Sequence, residues 1–151
     1  MKRSPQMKKV EELLRASRVV SGGFLGKDPR ILEEILETDA AELAALGISQ
    51  EEVAARMLEI TNRARTGLGT PVRMDEKREI SADDNRGQMI CPWPHAGGYD
   101  KTITTVRRID TGETLRWSEL SRHFIEAHGF FEGRGSAFRL EPGTLVRVIF
   151  G

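Results

Sequence analysis

The chain has 151 residues, a length that suits one domain or two small subdomains sharing a core. Its 23 basic and 23 acidic residues cancel, so nothing predicts a large positive excess for phosphate backbones. A single cysteine, Cys91, excludes an internal disulfide framework. No apolar run approaches the roughly 18 residues of a membrane span, and residues 1–20 lack the apolar stretch of a signal peptide. We therefore expect a cytoplasmic protein without a membrane partner.

The first part of the chain, residues 1–70, carries repeated signals for short helices. Capping residues precede apolar positions spaced three and four apart, and glycines at 67 and 69 end the last pattern. The start signals are Ser4-Pro5, Asp28-Pro29, Asp39 with Glu42, and Ser49 with Glu52. These features predict about four short helices between residues 4 and 66, packed as a bundle.

A charged segment, residues 71–87, separates this part from the rest. Eight of the 13 residues from Asp75 to Gly87 are charged, and they show little periodicity. This composition predicts a linker or an exposed hairpin, and it marks the boundary between two subdomains.

The remaining residues, 88–151, alternate strand-like and helical patterns. Runs rich in β-branched and aromatic residues predict strands at 102–109, 113–117, 138–140 and 145–150. Ser118 predicts the start of one helix that ends near His128, before Gly129. We therefore expect an α+β fold, in which the N-terminal bundle packs beside a small unit of four to five strands and one helix.

The aromatic residues of this unit predict its core. Phe124 falls on the apolar side of the 118–128 helix, and Trp117 ends the strand that precedes it. We expect Trp117, Phe124, Phe130 and Phe150 to form one cluster that seats the helix on the sheet.

Metal-binding side chains are concentrated in one stretch of the sequence. The only cysteine and all three histidines lie between residues 91 and 128, as Cys91-x3-His95 and His123-x4-His128. Zinc favours four nitrogen or sulfur ligands arranged as short pairs, so these residues predict a structural zinc site. The outline resembles the spacing of Cys2His2 fingers. The Cys/His first pair and the 27-residue gap depart from that pattern, so no finger family is assigned.

Helix geometry offers an alternative for the two later histidines. Five residues along a helix separate His123 from His128 by about 140°. They would then meet one ion only if the helix unwinds near Gly129. Otherwise both would make ordinary hydrogen bonds at the margin of the core.

A glycine-rich loop follows the helix. Gly133, Arg134, Gly135 and Ser136 combine flexible backbone with a cation and a hydroxyl, which predicts an anion-binding loop. The alternative is an ordered loop whose phenylalanines, Phe130 and Phe131, fill the core.

The sequence leaves several functions open. Residues 41–53 vaguely match a helix-turn-helix, but the acidic start of the second helix predicts no specific duplex DNA binding. We favour a non-enzymatic binding or regulatory module, stabilised by zinc, with a protein or a small anion as partner. One alternative is a nucleic-acid-binding protein that uses Arg107, Arg108, Arg116, Arg139 and Arg147. The other is a cysteine-dependent enzyme at Cys91.

Overall fold

The computed structural model describes residues 3–18 and 22–151, and within them the chain has a mixed α+β fold. The helices are α1 (Pro5–Ala16), α2 (Leu32–Ala45), α3 (Gln50–Arg65), α4 (Glu119–His128) and α5 (Pro142–Phe150). The strands are β1 (Val72–Arg73), β2 (Arg78–Asp83), β3 (Gln88–Ile90), β4 (Gly98–Asp100), β5 (Ile103–Arg108) and β6 (Thr114–Ser118). No helix in these residues is long and apolar enough to cross a membrane.

The first described part of the chain is helical, as predicted, but it contains three α-helices instead of four. The Ser4 side chain caps α1, and Ser49 with Glu52 forms the expected capping box on α3. Asp39 starts no helix, because α2 runs through it. Its carboxylate is buried and accepts a hydrogen bond from Arg139 at 2.9 Å, so it serves tertiary packing instead of capping.

Four strands form an antiparallel sheet in the order β1-β2-β5-β6, and β3 pairs with β4 in a separate hairpin. The charged segment 71–87 contains β1 and β2, which pair directly, with Val72 opposite Ile80. Strand β2 lies inside the sheet, and Ile80 and Ala82 on one of its faces are buried. These few apolar residues alternate with polar ones along the strand, which explains why composition alone suggested an exposed segment.

Two predicted strands near the end of the chain are wrong. Residues 138–140 form no strand, and residues 145–150 belong to helix α5. Pro142 occupies the first turn of α5, where its missing N–H costs nothing. Leu145, Val148 and Ile149 are buried at helical spacing. A short apolar run fits both the strand and the helix periodicity, and the proline at its start favours the helix.

The core consists of two apolar clusters, so the prediction of a single aromatic cluster is wrong. Trp117 belongs to the cluster between the sheet, α3 and α5. Phe124 and Phe130 belong to the other cluster, which α1, α2, α4 and the β3–β4 hairpin share. Phe150 is 40% exposed. Helix α4 lies between the two clusters and presents Ile125 to the first and Phe124 to the second.

Candidate metal centre

The four predicted ligands come from two elements that pack against each other. Cys91 follows β3 directly, and His95 lies in the loop 91–97 that joins β3 to β4. The pairing of Ile90 with Gly98 closes this loop at its base. His123 and His128 project from the last two turns of α4. A β-hairpin loop and a helix end therefore face one another.

The structure brings all four side chains together. One ligand atom from each of Cys91, His95, His123 and His128 lies within 4.8 Å of the other three. The Cys91 Sγ is 3.5 Å from Nε2 of His128, and Nε2 of His123 is 3.0 Å from Nε2 of His95. Tetrahedral zinc ligands at ordinary bond lengths would be separated by about 3.3–3.6 Å. The cluster could therefore hold a metal ion.

The unwinding of α4 that a common ion was expected to require does not occur. The helix continues to His128, and Gly129 ends it with a left-handed φ of 60° while donating its N–H to the Ile125 carbonyl at 3.1 Å. The rings of His123 and His128 nevertheless lie with centroids 5.1 Å apart. The hairpin loop covers the helix side between them, so both side chains reach toward a common point although their Cα positions diverge.

Aromatic rings hold the two helical histidines in place. The Trp93 indole stacks on His128, with centroids 4.1 Å apart and 8° between the planes. The Tyr99 ring stacks on His123 at 4.2 Å and 24°. Each imidazole is thus fixed by a residue of the hairpin that also carries the other ligands, an outer-shell arrangement that orients metal ligands.

The third histidine has its tautomer set by the backbone. The Nδ1 atom of His95 lies 3.1 Å from the carbonyl oxygen of Ala96. A carbonyl only accepts hydrogen bonds, so Nδ1 carries the proton in the neutral ring. The lone pair is then on Nε2, the atom that points into the cluster toward His123. Metal-bound histidines commonly donate their second N–H to such a carbonyl.

The environment of the cluster disfavours the charged forms of Cys91, His123 and His128. Burial, together with His128 and His95 nearby, lowers the pKa of His123 to about 4. Burial and the neighbouring His95 lower the pKa of His128 to about 4 as well. Burial raises the pKa of the Cys91 thiol. At neutral pH the imidazoles of His123 and His128 are therefore uncharged, whereas the thiol must lose a proton to bind a cation.

Burial differs across the cluster. Cys91 is 3% exposed, His123 and His128 are half-buried, and His95 is exposed. The thiol therefore forms the floor of the site and His95 its outer edge. Four protein ligands would complete a tetrahedral shell without a position for water, as in structural zinc sites.

The predicted anion-binding loop lies away from the cluster, and three of its donors already have acceptors. The Gly133 N–H donates to the Phe24 carbonyl at 2.9 Å, and the Arg134 N–H donates to Asp28 at 3.0 Å. The Ser136 hydroxyl donates to Glu132 at 2.6 Å. Gly135 adopts a φ of 88° between them. The loop therefore presents carboxylates where an anion would need free donors.

The arginines of the second half mostly contact carboxylates. Four of the five predicted positions lie within 4 Å of an acidic side chain. The pairs are Arg107–Glu79, Arg108–Asp110, Arg139–Asp39 and Arg147–Glu113. Arg116 instead lies over the ring of Phe138, 5.6 Å from its centroid. These pairings neutralise much of the positive charge that a nucleic acid would require.

Sequence reasoning missed the two stacking aromatics and the buried Glu132. Trp93 could have been found, because it lies between two prolines and between two candidate ligands. Tyr99 and Glu132 carry no local signal of their role.

A comparison of the chain with protein-family models, with curated proteins and with solved structures finds no match. The geometry and chemistry of the cluster itself therefore carry the information on function. The observation with the most weight is the convergence of Cys91, His95, His123 and His128.

Proposed function

We propose that this protein binds one zinc ion through Cys91, His95, His123 and His128, and that it acts as a non-enzymatic binding or regulatory module. The observation that carries the proposal is the spacing of the four ligand atoms, all within 4.8 Å of one another in a cluster built from two separate elements. Two pairs of nitrogen and sulfur donors, one from the hairpin loop and one from α4, thus converge on a single point.

The donor set favours zinc. One thiolate and three imidazoles are nitrogen and sulfur ligands, which suit zinc, whereas calcium and magnesium require oxygen. A shell of four protein ligands leaves no open position for a substrate or for a nucleophilic water. The site is accordingly structural.

Zinc would join the β3–β4 hairpin to the end of α4. The two strands of this hairpin have only three residues each, and a two-stranded hairpin is marginally stable by itself in water. Ligands brought together by folding convert metal affinity into folding free energy. The ion would therefore stabilise the region that holds Trp93 and Tyr99 against the helix.

Metal analysis of protein purified without a histidine tag tests the proposal. We expect about one zinc per chain, and we expect a chelator to lower the melting temperature of the natural protein. Cys91→Ala should remove both the zinc and the chelator effect. Ile90→Ala is the matched control, because Ile90 is adjacent in sequence but 73% exposed. Less than about 0.2 zinc per chain would contradict the proposal.

A second candidate function rests on one contact in the same cluster. The 3.5 Å separation of Cys91 Sγ and His128 Nε2 has the form of a thiol–imidazole pair of a cysteine-dependent enzyme. Such an enzyme lowers the pKa of its thiol, whereas burial raises the pKa of Cys91. Alkylation by iodoacetamide distinguishes the two. A catalytic thiol reacts rapidly at pH 6, and a zinc ligand reacts only after the metal is removed.

A further inference from the structure

A second site lies away from the metal cluster, around the buried side chain of Glu132. This side chain borders a cavity of about 180 Å³. The apolar part of the cavity wall comes from Phe24, Met89, Ile103 and Phe138. Lys101 also borders the cavity, so an acidic and a basic residue both line it, together with the polar residues Asn85 and Ser118.

The Glu132 carboxylate lacks a cationic partner. It is 2% exposed, and Oε1 accepts a hydrogen bond from Ser136 at 2.6 Å. Within the described residues, Oε2 has one hydrogen bond, from the Ser121 hydroxyl at 3.5 Å. The nearest arginine, Arg139, donates to the backbone carbonyl of Glu132 and forms its ion pairs with Asp39 and Glu141. A buried carboxylate with this much unused acceptor capacity is costly unless a ligand completes it.

The backbone at Glu132 is strained as well. Its φ is 69°, a left-handed conformation that residues with a Cβ rarely adopt. The Arg139 hydrogen bond to its carbonyl and the Gly133 hydrogen bond to Phe24 hold this conformation. Strain of this kind persists where the surrounding structure fixes it, and it gathers at ligand sites.

The basic residue that borders the cavity is Lys101. Lys101 is half-buried and forms no ion pair or hydrogen bond through its ammonium group within the described residues. Glu132 is almost fully buried and Lys101 is half-buried, so the carboxylate is more shielded from solvent than the lysine. The four apolar side chains form most of the remaining wall.

We propose that this cavity binds a small aliphatic zwitterion whose ammonium group pairs with Glu132 and whose carboxylate pairs with Lys101. The aliphatic part contacts Phe24, Met89, Ile103 and Phe138. An apolar cavity of about 150 Å³ holds benzene, so this cavity accepts roughly six to nine non-hydrogen atoms. An amino acid of that size satisfies both charges and contacts the apolar wall.

Burial raises the pKa of Glu132 to about 7, which fits this role. At neutral pH and without a ligand, the Glu132 side chain is ionised in only a fraction of the molecules. An ammonium group beside it favours the ionised form, so binding provides the counter-charge that the fold omits.

Titration of the purified protein, followed by NMR of the Met89 and Ile103 methyl groups, tests the proposal at pH 7.5. The probes are 5-aminopentanoate and L-valine, isomers that differ in the separation of their charges. Pentylamine and pentanoate each supply one charge alone. We expect saturable changes in chemical shift with the isomer whose ammonium and carboxylate groups reach Glu132 and Lys101 together. Both single-charge probes should bind at least about tenfold more weakly.

Two variants test which residue contacts each charged end of the zwitterion. Glu132→Gln and Lys101→Met should each weaken the zwitterion at least about tenfold. Glu126→Gln is the matched control, because Glu126 is an exposed glutamate of α4 that does not border the cavity. It should leave the binding unchanged.

Three outcomes would overturn the proposal. One is the absence of saturable shifts with both isomers up to about 10 mM, which would leave only water in the cavity. Another is equal binding of pentanoate, since that probe lacks the ammonium group. The third is a folded Glu132→Gln protein that binds as well as the natural one. If that variant fails to fold, the comparison of 5-aminopentanoate or L-valine with pentanoate on the natural protein decides.

Discussion

The indole of Trp93 lies almost parallel to the imidazole of His128, with ring centroids 4.1 Å apart. The same indole packs against Phe124 and Phe130, at centroid distances of 6.0 and 5.6 Å. A residue of the hairpin loop therefore links a candidate metal ligand on α4 to the apolar core beneath it. Because the indole fixes the plane of the ligand ring, the ligand is oriented before any ion arrives.

We predict that Trp93→Ala weakens zinc binding by about 10- to 100-fold, the usual effect of removing an outer-shell partner. The free imidazole of His128 would sample more orientations, and ordering it would then oppose binding. Competition with a chromogenic chelator measures the affinity. Trp93→Phe should retain most of it, and Ile90→Ala should retain all of it. Unchanged affinity in Trp93→Ala would show that the stacking is incidental.

Zinc binding should release about one proton per chain at pH 8. The pKa values of His123 and His128 are lowered to about 4, so both rings are neutral before the metal binds. Burial raises the pKa of the Cys91 thiol, which therefore supplies the proton. Calorimetry in buffers of different ionisation enthalpy counts the protons. Cys91→Ala should release none, and a value near zero for the natural protein would exclude the thiol as a ligand.

The members of the Cys/His cluster could be predicted from the sequence because their signal is chemical. Cys91 and the three histidines are the only strong nitrogen and sulfur ligands in the chain, and they occupy one short window. Their convergence could not be derived from the helical wheel. A helical wheel gives only the direction in which each residue leaves the helix axis. The side chains of His123 and His128 converge beyond the backbone, where Trp93 and Tyr99 of the hairpin stack on their rings.

The helices at the start of the chain could be predicted because capping is local chemistry, as at Ser4 and Ser49. Tertiary contacts decided the places where prediction was wrong. Asp39 has the sequence of a cap but pairs with Arg139, 100 residues away. The run at 145–150 fits a strand by composition, but it forms helix α5, which contacts α2, α3 and β5.

Truncation of Phe124 should be strongly destabilising. The side chain is fully buried, and its ring contacts Phe24 and Phe130 edge-on, with centroids 5.2 and 5.1 Å away. Phe124→Ala should lower the free energy of unfolding by about 3–5 kcal/mol, the range for a buried phenylalanine. Urea denaturation of the zinc-loaded protein measures it. Phe150→Ala is the control, since Phe150 is 40% exposed, and a loss below about 1 kcal/mol at Phe124 would contradict the described packing.

Glu132 should make the folded protein less stable as the pH rises. Its pKa is about 7 when folded, against an ordinary value of about 4.3 in the unfolded chain. Between these values the unfolded state has lost its proton and the folded state retains it, so stability falls from about pH 4.5 and levels off above 7. Arg139 lowers this pKa only in part, and the hydroxyls of Ser121 and Ser136 are uncharged.

Glu132→Gln removes this dependence, because glutamine does not titrate. The variant should gain about 2 kcal/mol relative to the natural protein between pH 5 and pH 8, as the difference in pKa implies. Urea denaturation of both proteins at the two pH values measures the gain. The lowered pKa values of His123 and His128 act in the opposite direction, since their contribution is lost as the pH falls from about 6.5 toward 4. That contribution is common to both proteins and cancels in the comparison. Parallel stability curves would show that Glu132 is ionised throughout and has a counter-charge in the folded protein.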